Sequence, residues 1–275
     1  MSTTAPTLDL ITAALAYDAD NAIQWFAANF MRANPQKFQM IYMVPLNSKL
    51  QIPEVTVINE VSIPTEKHVK LLGITIDNKL TFDRHVDNIC RRASQQLNVL
   101  RRFKSMFRLR EAKLIHQAFI MSNFNYCPVV WHFCSLTSTR KMEKIQERAL
   151  RLLYDDPTTP YQELLTSHGH TTLHIQRLRT IALEVFKSLH DLNPAFMKDM
   201  FEEKTVQYGL RDTQKLTQPK YRTIRYGRNT LTYYGAHLWN LLPSHIKLTC
   251  DINLFKSMIC SWDGPSCCCS LCGFT

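Results

Sequence analysis

The sequence predicts an α+β chain that is mainly α, and three observations carry that prediction. Apolar residues recur at helical spacing over long stretches, at 82–107, 138–154 and 173–190. Segments of strand character are short and gathered between Phe38 and Ile76, with Pro45 and Pro53 in the loop between two of them. The 275 residues are 45% hydrophobic, enough for a core in one large or two modest domains. The expected architecture is a small antiparallel sheet, then a helical bundle, then a mixed C-terminal extension.

The first thirty residues read as a helix, with Leu8, Ile11, Leu15, Ala22, Phe26 and Phe30 near helical spacing, stopped by Asn34 and Pro35. Residues 38–44 and 54–58 have strand character. Together with residues 69–76 they would close a small antiparallel sheet against that helix. The stretch VKLLGITI at 69–76 is apolar on both faces apart from Lys70 and Thr75, as a buried strand is, and Gly73 lets a neighbouring backbone approach. Asp77 and Asn78 supply turn chemistry and Thr81 is the expected N-cap. Asp83 falls in the first turn, where the helix dipole favours negative charge, so a helix starts near Phe82.

At about 100° per residue, Phe82, Val86, Ile89, Ala93, Leu97, Leu100 and Phe107 fall on one side of this helix. Arg84, Arg91, Gln95, Asn98 and Arg102 fall on the other. One face is built for a core; the opposite face presents three guanidinium groups along roughly 27 Å, at about 1.5 Å per residue. A phosphate backbone suits such a stripe, and so does plain solvation.

Further on, residues 109–122 give a second helix with Ala112, Ile115 and Phe119 on one face, and Ser138 caps a third that ends near Tyr154. Between them lies an apolar aromatic segment whose Trp131 and Phe133 read as core. After Pro157 and Pro160 a helix spans 173–190, with Leu178, Ala182, Val185 and Leu189 inward. His168, His170 and His174 lack Cys and acidic partners at ligand spacing, so they read as surface or capping histidines. Residues 220–228, KYRTIRYGR, read either as a second nucleic-acid contact or as an exposed strand with alternating arginines.

The net charge is +10, and it is unevenly spread: residues 82–151 hold fourteen Lys and Arg against five Asp and Glu. A positive region that concentrated points to a polyanion partner. No secretory signal pattern opens the sequence, and no apolar run approaches the roughly 20 residues needed to span a bilayer. The chain therefore reads as intracellular, in nucleus or cytoplasm, without a membrane partner, and its nine cysteines as reduced thiols. With only seven glycines, neither a Walker A loop nor a dinucleotide fingerprint can be written.

HVKLLGITIDNKLTFDRHVDNIC at 68–90 resembles the palm-to-thumb junction of LINE-type (non-LTR) retrotransposon reverse transcriptases. AIQWFAANFMRANPQKFQMI at 22–41 resembles the segment that follows the catalytic hairpin, and RALRLLYDD at 148–156 and YGAHLWNLLP at 234–243 resemble the later thumb and C-terminal region. These stretches cover most of the chain in the family's order. The resemblance implies a palm remnant at 1–80, a basic helical thumb at 81–156, a helical extension at 157–259 and a Cys-rich tail at 260–275. It also implies that Lys37 would face triphosphate or leaving pyrophosphate in an intact enzyme. Leu72 and Gly73 match the primer-grip hairpin, which acts through backbone shape.

Polymerase chemistry needs two divalent metals about 3.5 to 4 Å apart, held by carboxylates on adjacent strands. The family supplies two of them from a Tyr-x-Asp-Asp hairpin, and no such sequence occurs here. Tyr17-Asp18-Ala19-Asp20 lies in a helical pattern, where carboxylates two residues apart point about 200° from each other. Tyr154-Asp155-Asp156 closes a helix and runs into Pro157. The expectation is a chain that does not polymerise DNA by itself, with magnesium relevant only in an intact enzyme. Near the end, Cys260, Cys267, Cys269 and Cys272 supply the four thiolates of a structural zinc site, but only Cys269 and Cys272 have Cys-x-x-Cys spacing, so a zinc site and an unstructured tail both stay open. The expected activity is sequence-independent binding of RNA or RNA/DNA duplex through Arg84, Arg91 and Arg102. The alternatives are a part of an active polymerase whose catalytic half lies upstream, and a helical interaction module or relic.

Overall fold

The computed structural model describes Thr4 and residues 7–44, 50–204 and 214–265. The chain forms two compact units that divide between Arg84 and His85.

The first unit opens with α1 (Leu8–Ala28). A short 3-10 turn, Pro35–Lys37, comes after it, started by the Asn34 side chain accepting from the Gln36 N–H at 3.0 Å. Two antiparallel hairpins come next. Strands β1 (Val55–Ile58) and β2 (Val61–Pro64) pair with Ile58 opposite Val61. Strands β3 (His68–Leu71) and β4 (Ile74–Asp77) pair with Leu71 opposite Ile74. The core is Met40, Tyr42, Ile58 and Ile63, against which Leu8, Ile11 and Leu15 of α1 pack. The hairpin turn of β1 and β2 is tied to α1 by Asn59, whose amide donates to Asp20 at 2.7 Å.

Three expectations change here. Residues 38–44 are not a strand; only Met40 makes a bridge, to Thr65. The β2 segment pairs instead, because Asn59 and Glu60 take positive φ (51° and 66°) and close the two-residue turn that returns the chain along β1. Residues 69–76 are not one buried strand. Leu72 and Gly73 take φ of 47° and 89° and fold the stretch into the β3–β4 hairpin, with Leu71 and Leu72 exposed.

Helix α2 (Asp83–Phe103) leads into the second unit. It is followed by α3 (Leu109–Ile115), a π segment at His116–Met121 and α4 (Ser122–Asn125), which run on as one helical stretch. Then come α5 (Pro128–Trp131), α6 (Leu136–Tyr154), α7 (Tyr161–Ser167), α8 (Leu173–Leu189) and α9 (Ala195–Lys198). After a π turn at Ile224–Arg228 the chain closes with α10 (Leu231–Leu241), α11 (Ser244–Lys247) and α12 (Ile252–Cys260).

Helix α8 is the pillar of this unit, and α5, α6, α10 and α12 pack around it. Its Leu178, Ala182 and Val185 are buried beside Leu238, Trp239 and Phe255. Trp131 is 0% exposed, a core residue as its segment predicts. The π segment accounts for a misread face: one extra residue per turn rotates the residues beyond it, so Ile120 and Met121 go inward while Phe119 is exposed. The cap of α6 is Ser135, which accepts from the Ser138 N–H at 3.2 Å, and Ser138 itself is buried. His174 is likewise buried rather than superficial; its backbone N–H donates to Glu143 at 2.9 Å and its ring stacks on His132.

Candidate nucleic-acid interface

The interface is built on α2, and the helix owes its start to one carboxylate. Asp77, at the end of β4, is buried and accepts from the backbone N–H groups of Lys79 (3.0 Å), Thr81 (2.9 Å) and Phe82 (2.7 Å) and from the Thr81 hydroxyl (3.1 Å). Burial alone would raise its pKa, but the N–H donors of Thr81, Phe82 and Lys79 outweigh it and hold the carboxyl below its ordinary value. Those bonds pin a loop in which Leu80 and Phe82 both take positive φ, and the helix begins at Asp83. The sequence assigns Asp77 only to the turn. The signal available for more was an aspartate seven residues before the first arginine of the stripe.

The apolar face then forms as its period predicts: Val86, Ile89, Cys90, Ala93, Leu97 and Leu100 are buried. Phe107 does not join them. The helix ends at Phe103, a 3-10 turn at Lys104–Met106 redirects the chain, and Phe107 is exposed. On the opposite face Arg84, Arg91, Gln95, Asn98 and Arg102 are all exposed. The stripe stands as the wheel places it, the three arginines within about 20° of one another at 100° per residue.

Charge on the stripe is not internally cancelled. The ion pairs of this region engage Lys104 with Asp155, Lys141 with Asp87 (2.7 Å) and Arg151 with Glu147 (2.8 Å). Among the described residues none engages Arg84, Arg91 or Arg102. Asp87, on the same helix, is held by Lys141 of α6. Two further exposed arginines that the wheel leaves aside, Arg92 and Arg101, flank the stripe, and Arg101 donates to Asn98 at 3.2 Å. An exposed arginine face of this kind has the donors to meet a row of phosphates with charge-assisted hydrogen bonds, and it is equally suited to plain solvation.

Of the other predicted site residues, Lys37, Leu72 and Gly73 lie in the first unit. Lys37 is exposed at the end of its 3-10 turn. Leu72 and Gly73 form the tip of the β3–β4 hairpin. Cys260 is the last residue of α12 and exposed, whereas Cys267, Cys269 and Cys272 lie outside the described residues. Tyr17, Asp18 and Asp20 are helical in α1, and Tyr154 ends α6 with Asp155 as its left-handed cap (φ 55°). Among the described residues no three His, Cys, Asp or Glu side chains form a metal-holding group, and no helix is long and apolar enough to cross a membrane.

Comparison with known proteins adds relatives of one kind. Over 158 residues, 54% of this chain, it is 26% identical to the probable RNA-directed DNA polymerase from transposon BS of Drosophila melanogaster. Over 152 residues, 50% of this chain, it is 24% identical to the probable RNA-directed DNA polymerase from transposon X-element of the same species. The matched stretches are 17% and 16% of those proteins, so the chain spans a small part of the length of the curated relatives it matches. No protein-family model matches the chain, and no solved structure matches it. The two transposon polymerases support a LINE-type reverse-transcriptase-like relationship for this chain.

Proposed function

We propose that this chain is the nucleic-acid-binding, thumb-containing part of a non-LTR retrotransposon reverse transcriptase, and that it holds RNA or RNA/DNA duplex without sequence preference. The observation that carries the reading is the exposed row of Arg84, Arg91 and Arg102, without an ion pair among the described residues, on a helix whose other face is buried. Backbone phosphates satisfy such a row whatever the base sequence. Lys37 serves beside the nucleotide phosphates and the Leu72–Gly73 tip beside the primer end only when the rest of a polymerase is present. The two acidic pairs that come nearest to a catalytic hairpin are not placed to share a metal pair: Asp18 and Asp20 share one helix, and Asp155 and Asp156 follow the end of another. Polymerase activity therefore requires carboxylates from outside these residues.

The test is a salt series with a labelled RNA/DNA duplex, run on the full chain and on an Arg84→Ala, Arg91→Ala, Arg102→Ala variant. Affinity should fall log-linearly with salt, and the variant should show a slope shallower by about 0.9 for each phosphate it no longer neutralises. Equal slopes for the two proteins would mean that the arginines are only solvated and would sink the reading.

A further inference from the structure

A second positively charged surface lies far along the chain from α2. Between Gln214 and Cys250 the sequence holds no Asp or Glu and six Lys or Arg. Two of these, Arg225 and Arg228, fall in the π turn before α10, and Lys220 and Arg222 lie just ahead of it. Arg222 and Arg228 are exposed and Arg225 is half-buried. Among the described residues no acidic side chain pairs with any of the three.

The segment is held in shape rather than draped over the surface. Gly227 lies against Tyr221 so closely that a Cβ placed there would meet the Tyr221 Cβ at 2.8 Å, which requires glycine at this position. The Tyr221 ring meets that of Tyr233 on α10 edge to face, with centroids 4.8 Å apart. Thr230 joins the turn to the helix: its hydroxyl donates to the Gly227 carbonyl at 2.7 Å and accepts from the Tyr233 N–H at 3.3 Å. The exposed strand with alternating arginines, one of the two readings open in the sequence, does not form. A hydrogen-bonded turn does, and its surface interleaves cations with apolar groups: Tyr221 is 44% exposed and Ile224 64% exposed.

That mixture selects its partner. A duplex offers phosphates and closed base pairs, which use the arginines but leave the exposed ring and Ile224 against a charged backbone. A single strand offers phosphates together with unstacked base faces, which use both. We propose that the surface formed by Arg222, Arg225, Arg228 and Tyr221 binds single-stranded RNA, the arginines tracking phosphates and the tyrosine stacking on a base. The surface is separate from the duplex-holding row on α2, and either can fail without the other.

The experiment uses the full chain and a labelled oligouridine of about ten nucleotides, within the usual span of single-strand sites. Fluorescence anisotropy across a salt series should show an Arg222→Ala, Arg228→Ala variant with a slope shallower by about 0.7 for each phosphate left without its arginine. Tyr221→Leu should weaken binding at least about five-fold, whereas Tyr221→Phe, which keeps the ring and its packing on Gly227, should bind as the parent does. The Arg84, Arg91, Arg102 variant should bind the oligouridine normally. An unchanged slope in the double variant overturns the proposal, as does unchanged affinity for Tyr221→Leu. Loss of oligouridine binding in the α2 variant with the Arg222 and Arg228 variant unaffected would hand the single strand to α2 and overturn it too.

Discussion

Leu72 and Asp77 show how much can rest on one side chain in this chain. A two-residue hairpin with positive φ at both positions favours Asn-Gly, yet here Leu occupies the first position, 82% exposed and at φ 47°. A bulky side chain is strained in that backbone region, and Leu72 recovers no burial in return. Leu72→Asn should therefore stabilise the first unit by about 1 kcal/mol, read as a higher urea midpoint; a lower midpoint would mean that Leu72 packs in a way its exposure hides. Asp77 works in the other direction. It gathers four donors at the mouth of α2, and hydrogen bonds to a charged acceptor contribute about 1.5 to 3 kcal/mol. Asp77→Ala should lower stability by at least the bottom of that range, about 1.5 kcal/mol, with Asp77→Asn intermediate. Because the carboxyl's pKa is depressed in the fold, this contribution is present above the ordinary carboxylate value and is lost as pH falls through the depressed one.

At the scale of the element, α2 was almost entirely legible. Its apolar period placed five buried positions of the helix, and Phe82 just before it, correctly, and its polar period placed all five exposed ones, because a single long helix with one wet face is decided by local geometry. The helical stretch from α3 to α4 was legible only in its first half. A π turn depends on what the surrounding packing rewards, and no residue type announces it. Residues 54–58 and 69–76 were legible as extended but not in their pairing, and β2 was not legible at all, since pairing depends on turns with left-handed residues at Asn59, Glu60 and Leu72. Around α5 the reading was sound: Trp131 is fully buried, donates from its indole N–H to the Tyr126 carbonyl at 3.0 Å, and lies under the Arg177 guanidinium. Trp131→Ala should cost about 3 to 5 kcal/mol and lower the thermal midpoint of the second unit. A loss under about 1 kcal/mol would show that the segment repacks.

At the scale of the whole molecule, the second unit carries a set of buried histidines that makes its stability pH-dependent. Burial lowers the pKa of His132 well below the ordinary value, with Arg177 and His174 adding to it. Burial, with Arg177, pushes His174 down to about 4, and burial with His170 pushes His116 down to about 4. The unfolded chain takes up the His116 and His174 protons near pH 6.5, whereas the fold resists these two until about pH 4. Stability is thus complete above that upper value and falls between the two, by about 1.4 kcal/mol per pH unit for each proton. Denaturant midpoints measured from pH 7.5 to pH 4.5 should drop steadily below pH 6.5, and a His116→Phe variant should show a shallower drop; a flat profile would mean these rings are hydrated. What the sequence determined by itself was everything with a local cause: mainly helical content, the two faces of α2, the inward face of α8 and the unevenly placed charge. What only the tertiary structure decided was whatever depends on partners distant along the chain: which strands pair, which histidines are buried, that Asp77 anchors the arginine helix, and that residues 220–228 fold into a turn. The physical reason is range: a period is set by neighbours within a turn or two, but burial and pairing are set by whatever the rest of the chain brings alongside.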